Sequence, residues 1–191
     1  MKNGLQEAAF QALARRGVQL EEMARLVQQV VQEQGMDLSL AECRNHLEKV
    51  LEKREVLYAI LTGVTLDELA EAGALPEPLQ EAVANDLPLY GVDEILATSI
   101  TNIYGAVSLT RFGYLDKKKP GLVGLLNRKL KGGAIHTFMD DLVAGIVAAT
   151  VARIEHAALK GAARLPGLEK SPPNGLATAA EEVPLVHGGV E

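Results

Sequence analysis

The chain has 191 residues, with 19 lysines and arginines against 25 aspartates and glutamates, for a net charge of −6. Apolar residues make up 48%, but aromatics only 4% with no tryptophan, so the expected core is Leu, Val, Ile and Ala in packed helices, not a strand sandwich. The single cysteine, Cys43, excludes a disulfide framework and a cysteine zinc site and points to a reducing, cytoplasmic compartment, while the acidic balance argues against general nucleic-acid binding.

Residues 5–16 read as a helix stopped by Gly17, and this N-terminus lacks the apolar run of a secretory signal. Residues 20–34 form an amphipathic helix with Met23, Leu26, Val27, Val30 and Val31 inward, ended by Gly35. Ser39 and Glu42 make a Ser-x-x-Glu capping box. The helix they open is expected to continue to Gly63, with Arg54 and Glu55 interrupting its apolar part as a buried or half-buried ion pair to another helix. Thr65 and Glu68 repeat the capping pattern before a short helix ending near Gly73, and Pro76 and Pro78 start another that runs to about Asn85. Residues 92–109 are almost wholly apolar or small and are expected to form a central buried helix, with Asn102 and Tyr104 as buried structural groups. Residues 111–124 read as a loop, 127–133 as a basic Gly-ended segment, and 136–160 as the last helix. The longest uncharged stretch, 95–110, falls short of the roughly 20 apolar residues of a membrane span, so none is expected. From residue 163 the chain holds four of its eight prolines and little periodicity, which reads as a disordered tail. The expected fold class is all-α: a bundle of six or more helices, one central and surrounded by the others, within residues 1–162.

Two acidic pairs stand out. Asp93-Glu94 and Asp140-Asp141 each begin a helix that is otherwise nearly uncharged. Carboxylates beside so much apolar surface must be paired, hydrogen-bonded, bound to a cation or neutralised. If the two helices are both central, the pairs converge and suit Mg²⁺, which takes oxygen ligands. Alternatively, first-turn acids only stabilise their own helices through the dipole. Asp67-Glu68 and Glu181-Glu182 read as solvated. Lys117, Lys118 and Lys119 stand beside a Pro120-Gly121 turn, which reads either as a phosphate cradle of ammonium groups and backbone N–H or as a charged turn. His136 lies four and five residues before Asp140 and Asp141 and shares a face with them only if the helix has already begun; it reads as a general acid, a ligand or a residue without a role. His46 and His156 read as surface residues, and His187 lies in the tail. The absence of a Gly-x-Ser-x-Gly elbow, His-Glu-x-x-His and a dinucleotide fingerprint argues against serine hydrolases, zinc proteases and Rossmann oxidoreductases.

Several segments in order resemble the phosphatidylglycerophosphatase A family, in particular its soluble branch, the low temperature requirement C proteins. They are Lys53-Arg54-Glu55-Val56 with Ala59-Ile60-Leu61-Thr62-Gly63, Leu89-Tyr90-Gly91-Val92-Asp93-Glu94-Ile95-Leu96-Ala97, Gly113-Tyr114-Leu115-Asp116 with Lys119-Pro120-Gly121, and His136-Thr137-Phe138-Met139-Asp140-Asp141. The resemblance covers most of residues 15–157. The membrane-embedded branch matches more loosely, since Leu122 and Leu125 stand where its glycine-rich loop has Thr and Ser.

The resemblance implies an all-helical bundle and an Mg²⁺-dependent phosphomonoesterase that converts phosphatidylglycerol phosphate to phosphatidylglycerol and inorganic phosphate. On that reading Asp93, Glu94, Asp140 and Asp141 hold the metal and its water, Lys117, Lys119 and Gly121 bind phosphate, and His136 protonates the leaving alkoxide. A direct aspartyl nucleophile fits equally well. The enzyme would be cytoplasmic and meet its phospholipid substrate at the inner membrane face, with the lysines helping it dock. Two other readings compete: a helical nucleotide pyrophosphohydrolase and a non-catalytic helical interaction module. Association through apolar helix faces into a homo-oligomer, most simply a dimer, is also expected.

Overall fold

The computed structural model describes residues 2–128 and 134–162, and every regular element among them is helical. In chain order these are α1 (Lys2–Arg15), α2 (Leu20–Glu33), α3 (Leu40–Val50), α4 (Arg54–Glu71), α5 (Leu79–Asn85), α6 (Val92–Thr101), a 3₁₀ turn at Asn102–Tyr104, α7 (Ala106–Lys118), α8 (Gly121–Leu126) and α9 (Met139–Ala162). The basic segment 129–133 and the tail from 163, including His187 and Glu181-Glu182, lie outside the described residues.

The all-α bundle expected from composition is present, and its central helix is α9. Every residue from 137 to 152 is buried, because α9 is apolar on all sides and is packed by α2, α3, α4, α6, α7 and α8. Two glycines set the closest approaches. A Cβ at Gly63 on α4 would stand 2.6 Å from Leu142 Cδ1 and 3.0 Å from Phe138 Cβ, and one at Gly145 on α9 would stand 3.0 Å from the Ala97 carbonyl oxygen on α6. The start of α9 is therefore pressed between α4 and α6.

Several boundaries differ from the sequence expectation. The capping box at Ser39 and Glu42 is present, with the Ser39 Oγ accepting from the Glu42 N–H and Glu42 accepting from the Ser39 N–H at 2.9 Å. The helix it opens stops at Val50, and the chain turns through extended Lys53 into α4. The apolar stripe runs through this turn without a break, and what changes is the neighbours: α3 packs on α2 and α9, whereas α4 packs on α1, α5, α6 and α9. Arg54 and Glu55 are exposed in the first turn of α4 and do not form a buried pair. Thr65 caps nothing, because α4 runs unbroken to Glu71.

Residues 92–109 are not one central helix. They break at the 3₁₀ turn and at Gly105, where φ is +81°, and Val92, Ile95, Ile103, Val107 and Leu109 remain exposed, as does Asn102. Residues 111–124 are mostly helix, divided between α7 and α8. By length and composition α9 could cross a membrane, contrary to the sequence expectation: the stretch Met139–Leu159 has a mean hydropathy of 1.5. However, most of that stretch is buried inside the protein, so its apolar surface is satisfied by the other helices.

Candidate functional site

The segment entering α9 is tied down from three directions. The Ile135 N–H donates to Glu71 Oε1 at 2.6 Å, and Arg16, itself paired with Glu71 at 2.7 Å, donates to the Ile135 carbonyl. Thr137 Oγ1 donates to the Val83 carbonyl on α5 at 2.7 Å. Asp67 on α4 accepts the Phe138 N–H on both oxygens, at 3.1 and 3.3 Å. Asp67 thus caps the start of α9 from another helix and satisfies an N–H that has no partner within α9. It is fully buried, and that burial pushes its pKa up from 3.8 to about 8 despite the backbone bonds and Arg16, which pull it down.

The first turn of α9 then presents Asp140 and Asp141, both buried. The turn between α7 and α8 supplies their counter-ion. Lys119 Nζ lies 2.7 Å from Asp140 Oδ2, 3.5 Å from Asp141 Oδ1 and 2.7 Å from Asp116 Oδ1. Lys119 caps α7 in the left-handed region (φ 48°, ψ 53°), where a lysine is uncommon, and its N–H bonds the Leu115 carbonyl at 2.7 Å. Gly124 is required beside it, because a Cβ there would collide with the Lys119 carbonyl oxygen.

The charges interact strongly. Burial raises the Asp140 pKa, while the bond from Lys119 lowers it. Burial raises Asp141 as well, and the neighbouring Asp140 adds to the effect. Burial alone would lower Lys119, but its bonds to Asp116 and Asp140 outweigh this and hold the ammonium above the ordinary lysine range. Asp93, buried in the first turn of α6, is raised by burial; it feels Asp86 and Lys119, and its own charge bears on Asp141. Tyr90 completes the wall. Its ring meets Phe138 edge-on at 6.0 Å and 86°, and its phenol pKa is raised by burial, then by Asp93 and Asp67.

Of the residues singled out in the sequence, Asp140, Asp141 and Lys119 come into contact, and Asp93 bears on Asp141 through its charge alone. Glu94 does not join them: its side chain is exposed on the outer face of α6. Lys117 and Lys118 are exposed in the last turn of α7, while Lys119 alone turns inward. Gly121, at φ +51°, opens the short α8 beside Leu26. His136 precedes α9 and so shares no helical face with Asp140. Its pKa is lowered by burial and then by Arg16, and raised by Glu71, so its near charges are that pair; its Nδ1 is buried without a partner among the described residues. His46 is half-buried, its Nδ1 2.7 Å from Arg153.

The sequence reading missed Asp67, Tyr90 and Asp116. Asp67 is the opposite of solvated, whereas its neighbour Glu68 pairs with exposed Arg15 at 3.0 Å. A signal existed: Leu57, Ile60, Val64 and Asp67 fall on one face once α4 is continuous.

The cluster offers carboxylate oxygens, the donors hard dications take. Among the described residues no three His, Cys, Asp or Glu side chains gather on one point as a ready metal cage. One or two carboxylates completed by water and phosphate oxygens is the habit of Mg²⁺, and Asp140 and Asp141 suit that arrangement.

A family model described as Phosphatidylglycerophosphatase A matches residues 17–156. The uncharacterized protein YpjQ of Bacillus subtilis is 51% identical over 144 residues, covering 75% of this chain and 80% of that one. The crystal structure of ypjQ superposes with a TM-score of 0.79 at 46% identity, covering 84% of this chain and 98% of that one. The low temperature requirement C protein of Listeria monocytogenes superposes with a TM-score of 0.78 at 46% identity, covering 81% and 97%.

Proposed function

The chain belongs to the phosphatidylglycerophosphatase A family, and on that premise we propose that it is a phosphomonoesterase dependent on Mg²⁺, acting on phosphatidylglycerol phosphate in phospholipid synthesis. The observation that supports this reading is the meeting of Asp140, Asp141 and Lys119 at the buried start of α9, inside the matched residues.

Asp140 and Asp141 would hold the ion, with Asp93 behind them. A divalent ion there supplies positive charge to the phosphoryl oxygens. Lys119 binds a phosphate oxygen as a point charge. Burial raises both carboxyls of the pair and their mutual repulsion adds to it, while the Lys119 ammonium opposes the rise. The apolar walls from α4, α6 and Phe138 exclude bulk water, which strengthens each of these interactions. The substrate's lipid chains place the enzyme at a membrane surface, where exposed Lys117 and Lys118 favour anionic headgroups.

The test is phosphate release by the purified protein from phosphatidylglycerol phosphate in mixed micelles and from a soluble phosphomonoester, with Mg²⁺ and with chelator. Turnover of the lipid that needs Mg²⁺ and falls at least a hundredfold in Asp141→Asn is expected. No release from either substrate, with phosphate release from a nucleotide panel instead, overturns the assignment.

A further inference from the structure

Lys119 is committed twice over. Its Nζ spends its donors on Asp116, Asp140 and Asp141, at 2.7, 2.7 and 3.5 Å, so in this arrangement it has none to give a phosphate. The oxygens it occupies, Asp140 Oδ2 and Asp141 Oδ1, are also those a divalent cation at this place would take. An ammonium and a dication cannot share them, because their like charges repel strongly in a buried site.

We propose that Lys119 is a resident counter-ion that a divalent cation displaces, and that its Nζ becomes free to bind phosphate only when it is displaced. The inference rests on the metal-dependent reading above and adds an order of events to it. Without metal, the ammonium keeps two adjacent buried carboxylates from repelling each other. With metal, the same amine swings toward the entering phosphate, so the anion site forms only after the cation site is filled.

The local architecture suits such a swing. The Lys119 backbone is fixed, because its N–H is bonded to Leu115 and its carbonyl is packed against Gly124, so movement falls on the side chain alone. That side chain is 27% exposed, which leaves it a path outward, whereas Asp140 and Asp141 are 7% and 5% exposed and stay in place. The displaced amine would leave Asp116 as a nearby partner on the outer side, since that carboxylate is 29% exposed.

The experiment uses the full wild-type chain with no phosphate present. Brief amine acylation with and without Mg²⁺ is read residue by residue by mass spectrometry, with thermal melting establishing Mg²⁺ saturation. Lys119 is expected to react at least fivefold more slowly than Lys117 and Lys118 without Mg²⁺ and to speed up severalfold with it, while the other two hold constant. In parallel, Lys119→Met is expected to reach half of its Mg²⁺-induced melting shift at a tenfold or more lower Mg²⁺ concentration. Unchanged Lys119 labelling at saturating Mg²⁺ overturns the displacement and leaves the functional reading standing. So does an equal or weaker Mg²⁺ response in a Lys119→Met protein with a wild-type circular dichroism spectrum. If Mg²⁺ shifts the melting of neither protein, the metal-dependent reading falls, and the inference with it. Should Lys119→Met fail to fold, the labelling of wild type decides.

Discussion

Asp67 is held inside the protein by what it bonds: the Phe138 N–H, just before α9, has no helical partner and donates to both of its oxygens. Its raised pKa fixes the sign of a pH effect. A carboxyl that titrates near 3.8 unfolded and about 8 folded keeps its proton more tightly in the native state. Its contribution to stability is full below pH 3.8 and is lost as pH climbs toward 8. Asp67→Asn keeps the acceptor oxygen and removes the charge. The variant should therefore gain on wild type as pH rises, by up to about 1.4 kcal/mol per pH unit across that window. Urea unfolding of both proteins at pH 5 and pH 8 checks it, and a wild type that gains on the variant between them contradicts the account. Asp140 and Asp141 could be read from the sequence because they interrupt a run of apolar residues. Glu94 misled because it adjoins Asp93: successive helical residues point about 100° apart, so one enters the site and the other faces solvent. Asp67 was obscured by the helix break expected at Gly63, which took it off the stripe it shares with Ile60 and Val64.

Between helices, glycine decides how near α6 comes to α9, and therefore where Asp93 stands. Gly145→Ala would gain about 1 kcal/mol of helix propensity. It would also place a Cβ 3.0 Å from the Ala97 carbonyl oxygen, which is backbone and cannot rotate away. Overpacking of that kind costs about 1–3 kcal/mol, so the net effect should be destabilising. Gly113→Ala on α7 meets nothing within 4 Å and should stabilise by roughly 0.5–1 kcal/mol. The same substitution thus has opposite signs at two helical sites, and denaturant midpoints measure both; stabilisation at Gly145 would show that α6 is free to shift. Helix existence was legible along most of the chain because apolar spacing and glycine stops report it directly. The α3–α4 turn was not, because apolar residues continue in phase through Leu51 and Val56 while only the packing partners change. The centre of the bundle was misplaced for a related reason: residues 92–109 are as apolar as α9, but sequence does not say that Val92, Ile95 and Val107 point away from the other helices.

For the molecule as a whole, the site and the core are the same object. Asp140 and Asp141 are the first turn of the helix that six others surround, and Asp67, Arg16 and Thr137 fix that turn to α4, α1 and α5. A ligand that relieves repulsion at that turn should stabilise the entire fold, not a peripheral segment. Binding to the native state alone adds about 2.7 kcal/mol when the ligand stands a hundredfold above its Kd. For a chain of this size that is a rise of roughly 5–10 °C in Tm. Mg²⁺ should produce such a shift in one cooperative transition, and chelator should reverse it. Asp140→Asn combined with Asp141→Asn removes the ionic oxygens without changing side-chain volume, so it should abolish the shift. It should also lower the metal-free Tm, because the part-buried Lys119 ammonium loses two of its three carboxylate partners. A double variant that still answers Mg²⁺ with the full shift would move the cation elsewhere in the molecule and separate the site from the core it is built on.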